Sequence, residues 1–226
     1  MSGGAGPWLH APLRELSFVV LDLEATGLDA HRDRIVEVAL VEATPGAEPR
    51  VVLDTVVDPG RAMAATEIHG LSDWDVAGAP TFERLAPAVL GALDGRLLVA
   101  HNADLDLRLL GAALSGCGLL RAVPPHLCTL RLARSLGKAQ SYELWALCDG
   151  LGVEHGPAHA ARHDALATAR LLRRMLEGLA RVGVGTLAQL RAQGPAMGFL
   201  DALGLEPWPA APRVESAVEL RPRRGV

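Results

Sequence analysis

Four carboxylates occupy three distant segments of this chain, and one histidine stands beside the last of them. Asp22 and Glu24 interrupt the apolar run Phe18-Val19-Val20-Leu21-Asp22-Leu23-Glu24. Asp106 follows His101-Asn102-Ala103, and Asp164 comes five residues after His159. An acid set in apolar sequence is costly unless something offsets its charge. Four acids brought together repel by about 1–4 kcal/mol per close pair, depending on the local dielectric. Divalent cations remove that cost and turn the cluster into a two-metal centre for phosphodiester cleavage.

Each segment also has a plainer explanation. Side chains alternate across a strand, so Asp22 and Glu24 leave from one face and Leu21 and Leu23 from the other. Two solvated acids on a half-exposed strand would look the same. Asp106 falls in the first turns of a helix that Asn102 can cap, beside the apolar Leu109 and Leu110. A negative charge there is stabilised by ~0.3–1 kcal/mol without any function. Asp104 precedes Arg108 by four residues and reads as a solvated helix pair. In the third segment, His155, His159 and His163 recur every four residues and could share a zinc ion on one helix face. Pro157 stands inside that stretch and breaks such a helix, and no acid or cysteine completes the set. The other reading puts His159 in a loop and Asp164 in the first turns of the helix that follows. His163 suits catalysis less well, because Thr168, five residues on, offers no carboxylate.

The elements that must position these groups follow from apolar spacing. Strands are expected over 17–24, 34–43 and 50–57. Thr44-Pro45-Gly46 between the last two suggests an antiparallel meander. A helix is expected over 81–93, a short buried strand over 97–100, and helices over 103–116, 128–136, 141–150 and 161–180. Strands followed by strand–helix alternation indicate an α/β fold with a mixed sheet covered by helices. Residues 1–15, rich in Gly, Pro and Ala, read as a loose leader and 16–180 as the main domain. Residues 181–226 read as an extension with helical segments within Leu187–Leu205 and a basic Arg221-Pro-Arg-Arg end. That end is taken as solvated, with docking of a partner protein as the alternative.

The chain has 226 residues and a formal net charge of −4, with Lys138 its only lysine. That charge argues against a protein that coats nucleic acid through bulk electrostatics. It permits an enzyme that grips a few phosphates at a metal centre. No apolar run reaches the ~18 residues of a membrane span, and no secretory signal pattern is evident. Three cysteines without a CxxC pair suit a reducing, cytoplasmic compartment.

The order D-x-E, then H-N-A-x-x-D, then H-x-x-x-x-D resembles the DEDDh (DnaQ-like) exonuclease superfamily. Its members include the epsilon proofreading subunit of bacterial DNA polymerase III, ribonuclease T and oligoribonuclease. The likeness extends to Leu21-Asp22-Leu23-Glu24-Ala25-Thr26-Gly27-Leu28, Ile68-His69-Gly70-Leu71-Ser72-Asp73, Ala79-Pro80-Thr81-Phe82 and Asp164-Ala-Leu-Ala-Thr-Ala, within roughly residues 15–178. Ala25 stands where many relatives have threonine, and Leu105 where many have phenylalanine.

This resemblance implies a ribonuclease-H-like α/β fold and two Mg²⁺ or Mn²⁺ ions held by Asp22, Glu24, Asp106 and Asp164. It implies His159 as general base and release of nucleoside 5′-monophosphates from a 3′ end. Thr26, Leu28, Ile68, His69, His101 and Asn102 fall where the terminal nucleotide is held. Likeness to the epsilon branch makes single-stranded DNA the first expected substrate, in proofreading or repair, with a DNA polymerase as a possible partner. An RNA 3′-end trimming enzyme with the same residues is the alternative, since discrimination rests on contacts to the 2′-OH. A polymerase-associated adaptor with a silent site is the third reading, and the complete set of acids and histidine argues against it.

Overall fold

The computed structural model describes residues 9–119, 126–192 and 218–223. Five strands form one sheet: β1 (Phe18–Ala25), β2 (Ile35–Ala43), β3 (Arg50–Val56), β4 (Leu97–Ala100) and β5 (His126–Cys128). Their order is β3-β2-β1-β4-β5. The first three pair antiparallel, as the turn at 44–46 suggested, and β1, β4 and β5 run parallel. The helices are α1 (Thr66–His69), α2 (Asp73–Val76), α3 (Phe82–Leu93), α4 (Ala103–Gly116), α5 (Thr129–Leu136), α6 (Leu144–Leu151), α7 (Ala161–Arg181) and α8 (Leu187–Ala192). The three-residue β5 and the single-turn α1 and α2 are too short to leave a periodic signal. Residues 193–205 of the expected helical stretch lie outside the described residues.

The first half of β1 is closed off on both faces, with Phe18, Val19, Val20 and Leu21 fully buried. Beyond Leu21 the inward side chains stay apolar while Asp22 and Glu24 leave from the other face. In parallel sheets, ligands bind beyond the carboxyl ends of the strands where the connections diverge. Here the chain leaves β1 toward β2 on one side and meets β4 on the other, so the crevice opens at Glu24 and at Ala100-His101.

Helix α7 lies against β1 and β2. Its buried Ala161, Ala165, Ala167 and Ala169 carry little volume, which lets its backbone, and so Asp164, come close to the sheet. Within the stretch expected to be a loose leader, Leu13 is buried, as is Leu16 just beyond it. The Leu13 amide donates to Gly185 O (2.7 Å) and Ala188 N to Leu9 O (2.9 Å), so this part of the chain is fixed to the segment that opens α8. Segment 218–223 runs beside β3, with Val56 N donating to Arg221 O at 2.9 Å. It thereby occupies part of an otherwise open sheet edge. All three cysteines are free. No helix among the described residues is long and apolar enough to cross a membrane.

Ala165→Leu should lower unfolding free energy in urea by about 1–3 kcal/mol, because the added methylenes have no room under α7. Ala180→Leu, on the exposed side of the same helix, should stay within about 0.5 kcal/mol of wild type. Equal effects at the two positions would mean that α7 is not closely seated on the sheet.

Candidate active site

The site is assembled from the ends of β1, α4 and α7. Asp22 and Glu24 stand at the end of β1, where the pairing with β2 shifts register between Glu24 and Ala25. The chain then turns through a tightly bonded loop. Thr26 Oγ1 donates to Asp33 Oδ1 (3.0 Å) and accepts from Arg34 N (3.0 Å), and Thr26 N donates to Arg34 O. The Asp33 carboxylate is fixed a second time by the amide of Asp29. A side chain at Gly27 would collide with that carboxylate, which explains the glycine. The Thr26 hydroxyl is therefore committed to the loop. Its contribution is to shape the turn bearing Leu28, which is 72% exposed.

Asp106 sits in the first turn of α4 and is only 7% exposed. It bonds to its own backbone and to that of Leu23, the residue between the two strand acids. Asn102 begins this helix in a left-handed conformation (φ 62°) and, against expectation, makes no side-chain capping bond. It lines the neighbouring cleft instead. Asp104 pairs with Arg131, while Arg108 Nε reaches only the Asp104 carbonyl (3.1 Å), so the expected i, i+4 pair does not form.

Asp164 lies in the first turn of α7 and Oδ2 accepts the backbone N–H of His159 at 2.9 Å. His159 is outside the helix, exposed, and left-handed (φ 63°). Such a backbone is uncommon in a residue with a Cβ and persists only where the surroundings impose it. Ligand atoms of Glu24, His159 and Asp164 lie within 4.8 Å of one another. The three-histidine zinc arrangement does not form. His155 Nε2 pairs with Asp149 (3.1 Å), and the His163 ring packs where Gly156 leaves space.

Two other motif histidines turn inward. His69 is 1% exposed; Nδ1 accepts Leu71 N–H (3.1 Å) and Nε2 faces Ala64 O (3.0 Å). Burial holds its pKa down, and both ring nitrogens are used to close its own turn. Ile68 beside it is 52% exposed. His101 spends both nitrogens on Thr129 Oγ1 and Tyr142 O (3.0 Å each). That leaves the ring as a wall of the cleft.

One acid escaped the sequence reading. Glu37 on β2 pairs in register with Glu24 and is fully buried. Its Oε2 accepts Ala161 N (3.2 Å) and faces Arg223 Nη1 (3.4 Å). Its Oε1 has no hydrogen-bond partner among the described residues. The signal was present in Ile35-Val36-Glu37-Val38, an acid inside an apolar strand like Asp22.

The electrostatics follow from this crowding. Burial first, then the charges of Asp106, Asp164, Glu24 and Glu37, hold the Asp22 carboxyl well above the ordinary range. Burial, then Glu37 and Asp164, push Glu24 up to about 8, against the pull of Arg223. Burial pushes Asp106 up to about 7 despite its backbone bonds, and it raises Asp164 and Glu37 as well. An all-oxygen set of crowded carboxylates that resist ionisation fits hard divalent cations such as Mg²⁺ or Mn²⁺. Asp22, Glu24, Asp106 and Asp164 are the residues that would hold them. A cleft of about 630 Å³ opens beside this cluster, lined by His159, Asp164, Asn102, Arg134 and Trp145 among others.

Neutral carboxyls with raised pKa stabilise the metal-free fold below their ordinary pKa, and that stability is lost as pH rises through the folded values. For Glu24 and Asp106 the loss begins in the ordinary carboxyl range and is complete near 8 and 7. The urea midpoint of metal-free protein should therefore fall between about pH 5 and about pH 8.5, and saturating Mn²⁺ should flatten the slope. Glu24→Gln should flatten it in part without metal. A midpoint that climbs over this range would contradict the shared burial of the acids.

Residues 19–172 match the RNase T family model, described as exonuclease. Over 179 residues the chain is 33% identical to a PolC-type DNA polymerase III of Thermotoga petrophila, a match covering 77% of this chain and 13% of the polymerase. The DNA polymerase III subunit epsilon of Aquifex aeolicus is 28% identical over 179 residues, covering 77% of this chain and 88% of that subunit. E. coli exonuclease I in complex with a dT13 oligonucleotide has the same fold, with TM-score 0.62 at 16% identity over 74% of this chain and 42% of that one. The chain thus spans 13% of the length of the PolC-type relative. The matched region contains β1, α4 and the start of α7, with every acid described above, and the chain belongs to the RNase T exonuclease family within the DnaQ-like superfamily.

Proposed function

We propose that the chain is a metal-dependent 3′–5′ exonuclease that releases nucleoside 5′-monophosphates from single-stranded DNA 3′ ends, in proofreading or repair. The observation that carries this reading is the gathering of Glu24, His159 and Asp164 within 4.8 Å, with Asp106 and Asp164 close enough to Asp22 to raise its pKa. Two divalent cations on the four acids would stabilise the attacking and leaving oxygens of an in-line displacement.

The chain's own groups divide the remaining work. His159 is exposed at the mouth of the acid cluster, and its imidazole takes the proton of the attacking water at a ring nitrogen. The bond from its backbone N–H to Asp164 ties that ring to the acid beside it. Asn102 and the exposed Leu28 and Ile68 hold the terminal nucleotide. The cleft supplies Arg134 for a phosphate and a half-exposed Trp145 on which a base can stack, a combination suited to single strands. Kinship with polymerase III proteins supports DNA over RNA and a DNA polymerase as partner.

Asp22→Ala should reduce release of monophosphates from a 5′-labelled DNA oligonucleotide to background. His159→Ala should lower turnover by at least ~100-fold while Mn²⁺ still binds by calorimetry, and His163→Ala should be much milder. Wild type and Asp22→Ala behaving alike would end the enzyme reading, leaving a silent adaptor. Matched DNA and RNA oligonucleotides, digested side by side, decide the substrate; faster loss of RNA would make this an exoribonuclease.

A further inference from the structure

Segment 218–223, far from the motifs in sequence, brings Arg223 into contact with the site. Arg221 is seated by backbone bonds at the end of β3, its N donating to Thr55 Oγ1 (2.9 Å) and its O accepting Val56 N (2.9 Å). Its guanidinium reaches Ala77 O. Two residues on, Arg223 turns inward, with only 18% of its side chain exposed. Its guanidinium meets three groups: Glu37 Oε2 (3.4 Å), the carbonyl of His159 (3.0 Å) and the carbonyl of His69 (2.6 Å). Both arginines lie against glycines. A Cβ at Gly70 would stand 3.2 Å from Arg223 Nη2, and one at Gly78 2.9 Å from Arg221 Nη1. The turns that receive the segment leave room for it.

The contact at His159 has a particular consequence. This residue is held in a left-handed backbone by a bond at each end of its own main chain. Its N–H goes to Asp164 and its C=O to Arg223. Next along, Ala161 N is held by Glu37, the same carboxylate that faces Arg223. A planar guanidinium with donors in a fixed fan can serve three acceptors at once; an ammonium cannot hold that geometry.

We propose that segment 218–223 is a latch on the active site and that Arg223 is a positioning residue, fixing the His159 turn to the His69 turn so that the general base faces the acid cluster. This rests on the reading of His159 given above. The Arg223 guanidinium bonds to Glu37 and to two backbone carbonyls, and so acts through the residues it holds.

The test is a double-variant cycle on the full chain. Arg223→Ala should lower kcat by about 10- to 100-fold, the cost of a displaced catalytic group, with KM little changed. Arg223→Lys should recover only part of it. In the His159→Ala background Arg223→Ala should cost nothing further, since its effect passes through that ring. Hydrogen exchange at the amides of residues 159–161 should quicken in Arg223→Ala while amides in β1 and β4 stay protected. Unchanged exchange there, or a kcat loss just as large without His159, would overturn the latch. If His159→Ala alone is harmless, the general-base reading falls, and the exchange measurement still decides whether Arg223 holds the turn.

Discussion

The constraint behind this structure is the placement of Asp22, Glu24, Glu37, Asp106 and Asp164 around one strand end with little protein cation to balance them. The pKa of each is raised, with burial as the largest cause. The two helices that deliver acids, α4 and α7, begin at the site, and Asp106 and Asp164 lie in their first turns. Helix termini stabilise such charges by only ~0.3–1 kcal/mol, while each close pair of ionised acids costs about 1–4 kcal/mol. Dipoles and backbone bonds therefore lose to repulsion. External cations of high charge are the natural remedy, and the site is built to want them.

Holding like charges together requires a stiff frame, and the residues around the acids are spent on stiffness. Thr26 and Asp33 lock the loop after β1, with Gly27 pressed against the carboxylate. His69 closes its turn and His101 joins α4's start to Thr129 and Tyr142. Asn102 and His159, both left-handed, bend the chain sharply just before α4 and α7, so each helix starts at the cluster. Strain at these two positions is the cost of aiming two helix starts at one strand end.

Most of the fold was legible because it rests on local spacing. β1 to β4 and the longer helices announce themselves by alternation or 3.6-residue periodicity. The four acids stood out because Asp22 and Glu24 break an apolar strand and the motif order is specific. What was not legible depends on contacts rather than residue type. Thr26, His69 and His101 sit at motif positions that suggest substrate, yet their polar atoms are used within the protein. Asn102 has the right type for a cap and does not cap. Glu37 carried the same signature as Asp22 and lacked only a motif to draw attention to it. Arg223 could not have been found: nothing local links a basic residue at 223 to a carboxylate at 37.

The overall charge completes the physical account. With 22 basic and 26 acidic residues, the chain has no general attraction for a polyanion, and the acid cluster repels phosphate outright. Under the proposed function, productive binding would come from a few directed contacts at the cleft, such as Arg134 and the face of Trp145, and from the cations themselves. On the proposed reading, a phosphodiester would approach the acids only with those cations bound. The same crowding that makes the metal-free site costly would thus keep it from holding substrate idle, and would tie recognition to the presence of the cations.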